Sequence, residues 1–167
     1  MNNNFDQSDT HSFDPLIGTW SIVNRRKKRE YVFLPEKEAE WDEFPARSRF
    51  EKQLAGRAVA EYWEGTLPSG EKLLGYSVKA FEPTTQQWAI TWIDNRNPLD
   101  FRPVLGTFEA GAGTFFQIIE TPDGQPLHLR LIWDELTEST VRWQQAFSFD
   151  EGKSWDTNWV MQFTREQ

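Results

Sequence analysis

The chain has no cysteine and only two histidines and two methionines among its 167 residues. Lack of cysteine excludes a disulfide framework, a thiolate zinc site and a thiol nucleophile. With His11 and His128 as the only imidazoles, a two- or three-histidine zinc site would need the polar N-terminal segment to take part. Positive charge is also short. Eighteen Lys and Arg against 26 Asp and Glu leave a formal charge of −8, which argues against nucleic acid, whose phosphates select a basic face. No apolar run approaches the roughly 18 residues of a membrane-spanning helix. The opening MNNNFDQSDTHS lacks the basic-then-apolar order of a secretion signal. A phosphate loop, a dinucleotide fingerprint and a Gly-x-Ser-x-Gly elbow are missing too. These absences lead to the expectation of a cytoplasmic single domain without a bound cofactor.

Helical signal is the remaining deficit. Residues 1–11 are polar and Asn-rich and read as a disordered tail ahead of one domain spanning 12–167. Ser12-Phe13-Asp14-Pro15-Leu16 suits one short helical turn, with Ser12 or Asp14 as its cap and Pro15 in its first turn. Beyond Gly18 no window sustains a three-four apolar spacing. Pro35 to Phe44 fits either a short helix or the opening of a strand.

What the sequence does have is aromatic residues and alternation. Nine Trp and thirteen Phe exclude a disordered chain, which has too little to bury. Strand signals fall at about 18–26, 39–53, 56–66, 71–81, 86–94, 103–110, 113–121, 126–136, 139–149 and 155–165. Between them stand explicit turn residues such as Pro68-Ser69-Gly70, Gly111-Ala112-Gly113 and Pro122-Asp123-Gly124. Late in the chain the faces separate cleanly. Leu127, Leu129, Leu131 and Trp133 oppose His128, Arg130 and Asp134; Val141, Trp143, Phe147 and Phe149 oppose Arg142, Gln144 and Ser148; Trp155, Trp159, Met161 and Phe163 oppose Asp156, Asn158 and Gln162. About ten short-turned strands predict an all-β antiparallel meander, closed as an up-and-down barrel because closure removes the edges. A two-sheet sandwich is the alternative.

Most of the tryptophans suit the core. Trp63, Trp88, Trp92 and Trp143 sit mid-strand and are the candidates to line a lumen, Trp88 and Trp92 sharing a face with Ile90 between them. Leu16-Ile17-Gly18-Thr19-Trp20 then places Gly-x-Trp after a helical turn and at the head of the first strand. This resembles the opening of lipocalin-type (calycin) barrels. That resemblance implies that Trp20, with Gly18, closes one barrel end and that Arg165, following the apolar run 159–163, packs across its ring. Gly56-x10-Leu67, Gly75-Tyr76, Trp88-x3-Trp92, Gly106-x-Phe108, the 143–149 segment and Trp155-Asp156-Thr157-Asn158-Trp159 extend the likeness to a bacterial family of lipocalin-like barrels, which implies a fold and no reaction. Ser148-Phe149-Asp150-Glu151-Gly152-Lys153-Ser154-Trp155 resembles the Asp-box turn of sialidase propellers, a structural motif in which Ser148, Asp150, Gly152 and Trp155 would knit one hairpin.

Three functions stay open. The first is a carrier that binds a small hydrophobic or aromatic molecule in the lumen. The second is a homodimeric interaction domain without ligand, using exposed aromatics. The third is a small-molecule isomerase, cyclase or hydrolase, which would need a polar residue on an otherwise apolar inward face. Glu61, Glu64, Asp94, Asp134 and Asp150 are the carboxylates available on or beside strands, and Arg57, Arg102, Arg130 and Arg142 the arginines to test, the last two falling outside by parity. His128 lies on the polar side of its strand and would matter only as a haem ligand. The basic block Arg25-Arg26-Lys27-Lys28-Arg29 fits a strand end offset by Glu36, Glu38, Glu40, Asp42 and Glu43 across a hairpin.

Overall fold

Alternation is realised as strands in all ten places. The structure, a computed structural model, describes residues 9–34 and 36–167. Its strands are β1 (Gly18–Lys27), β2 (Trp41–Gln53), β3 (Ala58–Thr66), β4 (Lys72–Glu82), β5 (Gln87–Asp94), β6 (Val104–Glu109), β7 (Ala112–Glu120), β8 (Pro126–Asp134), β9 (Thr140–Ser148) and β10 (Asp156–Arg165). Each pairs antiparallel with its neighbour in sequence, and β1 pairs with β10 from Trp20↔Arg165 to Arg26↔Trp159. That last ladder closes the sheet into an up-and-down barrel and sets the sandwich aside. The remaining regular structure is single 3-10 turns. Between positions 35 and 44, one such turn forms at Glu36–Glu38 and Trp41 opens β2. No helix among the described residues is long and apolar enough to cross a membrane.

One end of the barrel is plugged by residues ahead of β1. Phe13 is fully buried, with its ring 4.8 Å from Trp88, 4.9 Å from Phe108 and 5.8 Å from Trp133, each edge-on. Trp20 donates its indole N–H to Leu16 O at 2.7 Å. The Arg165 guanidinium lies 4.2 Å over the Trp20 ring and donates to the carbonyls of Ile17 (2.8 Å), Glu138 (2.6 Å) and Pro15. Gly18 has φ +122°, a backbone conformation strained for any residue with a side chain, and a Cβ there would stand 2.7 Å from Arg165 Nη1. The turn at Asp14–Leu16 has Phe13 at its N-cap and no side-chain cap. Ser12 instead exchanges hydrogen bonds with Asp9. Residues 9–11, expected as tail, are therefore built into this floor, where Asp9 O accepts from Trp88 Nε1 at 3.0 Å. Residues 1–8 of that expected tail lie outside the described residues.

The β9–β10 turn stands at the opposite, open end. Asp150 Oδ1 accepts from Ser154 N and the Ser148 hydroxyl, both at 2.8 Å, Oδ2 accepts from the Ser154 hydroxyl, and Gly152 takes φ +86°. These donors hold the Asp150 carboxyl down at about 2. A carboxyl held below its unfolded value stabilises the fold above that value and loses the contribution as pH falls through the folded one. The turn is thus expected to loosen between roughly pH 4 and pH 2, read as loss of hydrogen-exchange protection at Ser154 N. In Asp150→Asn that pH step disappears.

Candidate functional site

Above the plug the lumen is not filled. A cavity of about 220 Å³ remains, walled by Trp92, Trp133, Trp143 and Trp159, with Ile90, Val104, Leu129, Leu131 and Met161 completing its apolar surface. Its volume exceeds that of apolar cavities known to hold benzene. These side chains project inward from five of the strands, β5, β6, β8, β9 and β10, by the two-residue period of each. Trp143 and Trp159 meet edge to face at 5.4 Å. Room for Trp92 comes from Gly75 on β4, where a Cβ would sit 1.9 Å from the indole.

The cavity floor is polar. Lys79 and Glu61 project inward from β4 and β3 and are 1% and 5% exposed. Lys79 Nζ donates to Glu61 Oε2 at 2.7 Å and to the Ser77 hydroxyl at 2.9 Å. Ser48 donates to Glu61 Oε1 at 2.8 Å. The ammonium also lies 5.1 Å from the Phe50 ring centroid and 5.5 Å from that of Trp133. Burial pulls the Lys79 amine below its ordinary pKa, with Glu61 pulling the other way. Such a pair is costly to bury and is retained here with its hydrogen bonds made. Glu61, Ser77 and Lys79 line the cavity, so a polar end of a bound molecule would meet both a donor and an acceptor. Trp133 adds a buried indole N–H that finds no hydrogen-bond partner among the described residues.

The sequence candidates divide. Trp92 and Trp143 line the cavity, together with Trp133 and Trp159, which alternation placed inward without marking them as ligand contacts. Trp63 is buried behind the wall, its ring 6.0 Å from Trp92 and 6.2 Å from Trp159. Trp88 belongs to the plugged end, away from the cavity. Of the carboxylates, only Glu61 enters the lumen. Glu64 pairs with Lys72, Asp134 with Arg142, and Asp94 accepts from Trp92 Nε1 and the Asn97 amide at the rim. Arg102 reaches the cavity mouth, where it forks onto Asp100 at 3.0 and 2.7 Å and holds that carboxyl below its usual range. Arg57 is exposed. Arg130 packs outside, 4.5 Å over Trp155. His128 faces an outer groove beside Arg130 and Trp155, not the lumen.

Three facing expectations, those for Asn158, Trp155 and Phe149, are corrected by local geometry. A bulge between Thr157 and Trp159 reverses parity, turning Asn158 in and leaving Trp155 outside against Phe116. Phe149 lies one residue past β9 and is exposed. Arg25, Arg26 and Lys27 of the basic block form the mouth end of β1, paired with β2 in the expected hairpin, and Lys28, just beyond the strand, meets Glu40.

No protein-family model and no curated protein sequence matches the chain. Among solved structures, the S-type phycobiliprotein lyase CPES from Guillardia theta superposes with a TM-score of 0.62 at 10% identity, over 93% of this chain and 90% of that one. At this identity the likeness concerns the fold, a lipocalin-like barrel. The barrel EF1p2_mFAP2b bound to DFHBI superposes at 0.47 with 11% identity, covering 94% of this chain and 98% of that one, too loosely to carry further argument.

Proposed function

We propose that the protein is a carrier whose lumen holds a small, flat and mainly apolar molecule. The observation that carries this reading is the unfilled cavity of about 220 Å³ between four indoles, above a fully buried ion pair. A barrel that needed only a packed core would fill this space, since empty volume costs stability. The four indoles offer ring faces and edges to an aromatic guest.

Titration with N-phenyl-1-naphthylamine, followed by its fluorescence and by quenching of tryptophan emission, tests the reading. Saturable one-to-one binding is expected, weakened at least about tenfold by Leu131→Trp, which fills the cavity. Binding that survives in a folded Leu131→Trp protein would refute a lumen site.

A second reading, a homodimer, is favoured by Leu105 on β6 and Phe116 on β7, which face each other across the ladder and are 44% and 50% exposed, with Ile118 beside them at 58%. Sedimentation at rising concentration tests it, with Phe116→Lys expected to leave only monomer. An enzyme using Glu61 and Lys79 as proton donor and acceptor would need the same cavity occupied.

A further inference from the structure

The aromatic cavity adjoins a second hollow at the barrel mouth. This one measures about 300 Å³ and shares Trp159 and Gln145 with the first. Its wall carries Arg26, Arg29 and Arg96 in a protein whose formal charge is −8.

Two groups in that wall are left unused. Arg26, turned inward at the end of β1, lies 5.1 Å from the Trp159 ring centroid and 5.3 Å from that of Phe44, and makes no hydrogen bond or ion pair among the described residues. Its neighbours Asp42 and Asp94 act on it only through space. The Asp94 oxygens are already taken by Trp92 Nε1, Arg96 N, Asn97 N and the Asn97 amide. Asn158, turned in by the β10 bulge, is 1% exposed. Gln145 donates to its Oδ1 at 2.8 Å, which fixes the amide orientation and leaves Nδ2 a buried donor without a partner. Of the other cations, Lys27 is engaged by Leu34 O and Asp156 and Arg96 by the exposed Glu71 at 3.1 Å, while Arg29 is exposed.

We propose that this hollow is a carboxylate site, and that the molecule held in the lumen is an amphipathic acid whose carboxylate is received by Arg26 and Asn158, with Arg96 on the outer side. This rests on the lumen reading above and narrows it. A guanidinium offers two parallel N–H groups that match the two oxygens of a carboxylate, and an amide N–H adds a third donor. Trp159, under the Arg26 guanidinium and beside Trp143, joins the charged site to the aromatic one.

The experiment displaces N-phenyl-1-naphthylamine with 1-naphthyl-acetic, -butanoic and -hexanoic acids and with their primary amides. At the chain length that spans the two hollows, the acid is expected to bind about tenfold tighter than its amide. The advantage should shrink with added salt and vanish in Arg26→Gln, the acid losing more affinity than the amide. Equal binding of acid and amide at every length, in the parent protein, overturns the carboxylate site, as does an acid preference that Arg26→Gln leaves intact. Failure of acids and amides alike, with no naphthylamine binding, overturns the lumen reading instead.

Discussion

Glu61→Gln is expected to cost about 3–5 kcal/mol of folding stability, because it leaves the Lys79 ammonium buried without its counter-charge. Gln at 61 still accepts a hydrogen bond, so the loss reports charge and not shape. Removing both charges together, in Glu61→Leu with Lys79→Met, should return stability to within about 1–2 kcal/mol of the parent, the residual arising from Ser48 and Ser77 losing partners. Urea unfolding of the parent, Glu61→Gln and the double variant measures these differences. The pH dependence gives an independent check. Burial already lowers the Lys79 pKa, and loss of Glu61 removes the interaction that raises it. The unfolded chain then binds a proton the folded one gives up, so the Glu61→Gln protein gains stability as pH rises toward the unfolded lysine value of about 10.4. A single-variant cost below about 1 kcal/mol would mean the pair is reached by water.

Phe13→Ala carries the second large effect, an expected loss of about 3–5 kcal/mol. Phe13 lies outside every strand, yet it is buried among Trp88, Phe108, Phe115 and Trp133 and seals the lower end of the barrel. The Lys79 ammonium is 5.9 Å from its ring centroid, so the vacated space would extend the cavity beneath the ion pair. Thermal unfolding of Phe13→Ala should therefore fall well below that of Phe116→Ala, which trims an equally large side chain on the open outer face at a cost of roughly 0.5 kcal/mol. Similar losses from the two would contradict the plug.

These two residues also mark what the sequence conceals. Strand positions could be read to within two residues because turn residues separate the alternating runs, and closure followed because open edges are a liability. Lys79 was hidden by its own strand. The outward residues of β4 include Leu74, Tyr76 and Val78, so both faces look apolar and the inward parity of Lys79 with Leu73 and Phe81 does not stand out. Its partner Glu61 is inward with Val59 and Trp63 on β3. An acid and a base at apolar parity on adjacent strands would have been the signal. Alternation fixes which face a residue takes and is silent on its height along the barrel, which is why Trp88 looked like a lumen residue beside Trp92. Trp88 instead meets the segment ahead of β1, through Asp9 O and the Phe13 ring, and residues 9–11 of that segment read as tail. Asn158 was unreadable for a third reason, since a bulge inverts parity and carries no glycine here to announce it.

If the lumen and not the outer face is the barrel's binding surface, an apolar aromatic guest must be found inside it. Crystals soaked in 1-bromonaphthalene would locate the guest directly through the anomalous scattering of bromine. One strong bromine site enclosed by Trp92, Trp133, Trp143 and Trp159 is expected. A bromine found only over Leu105, Phe116 and Ile118, with the lumen closed by rearranged side chains, would contradict it and make the outer sheet the functional surface.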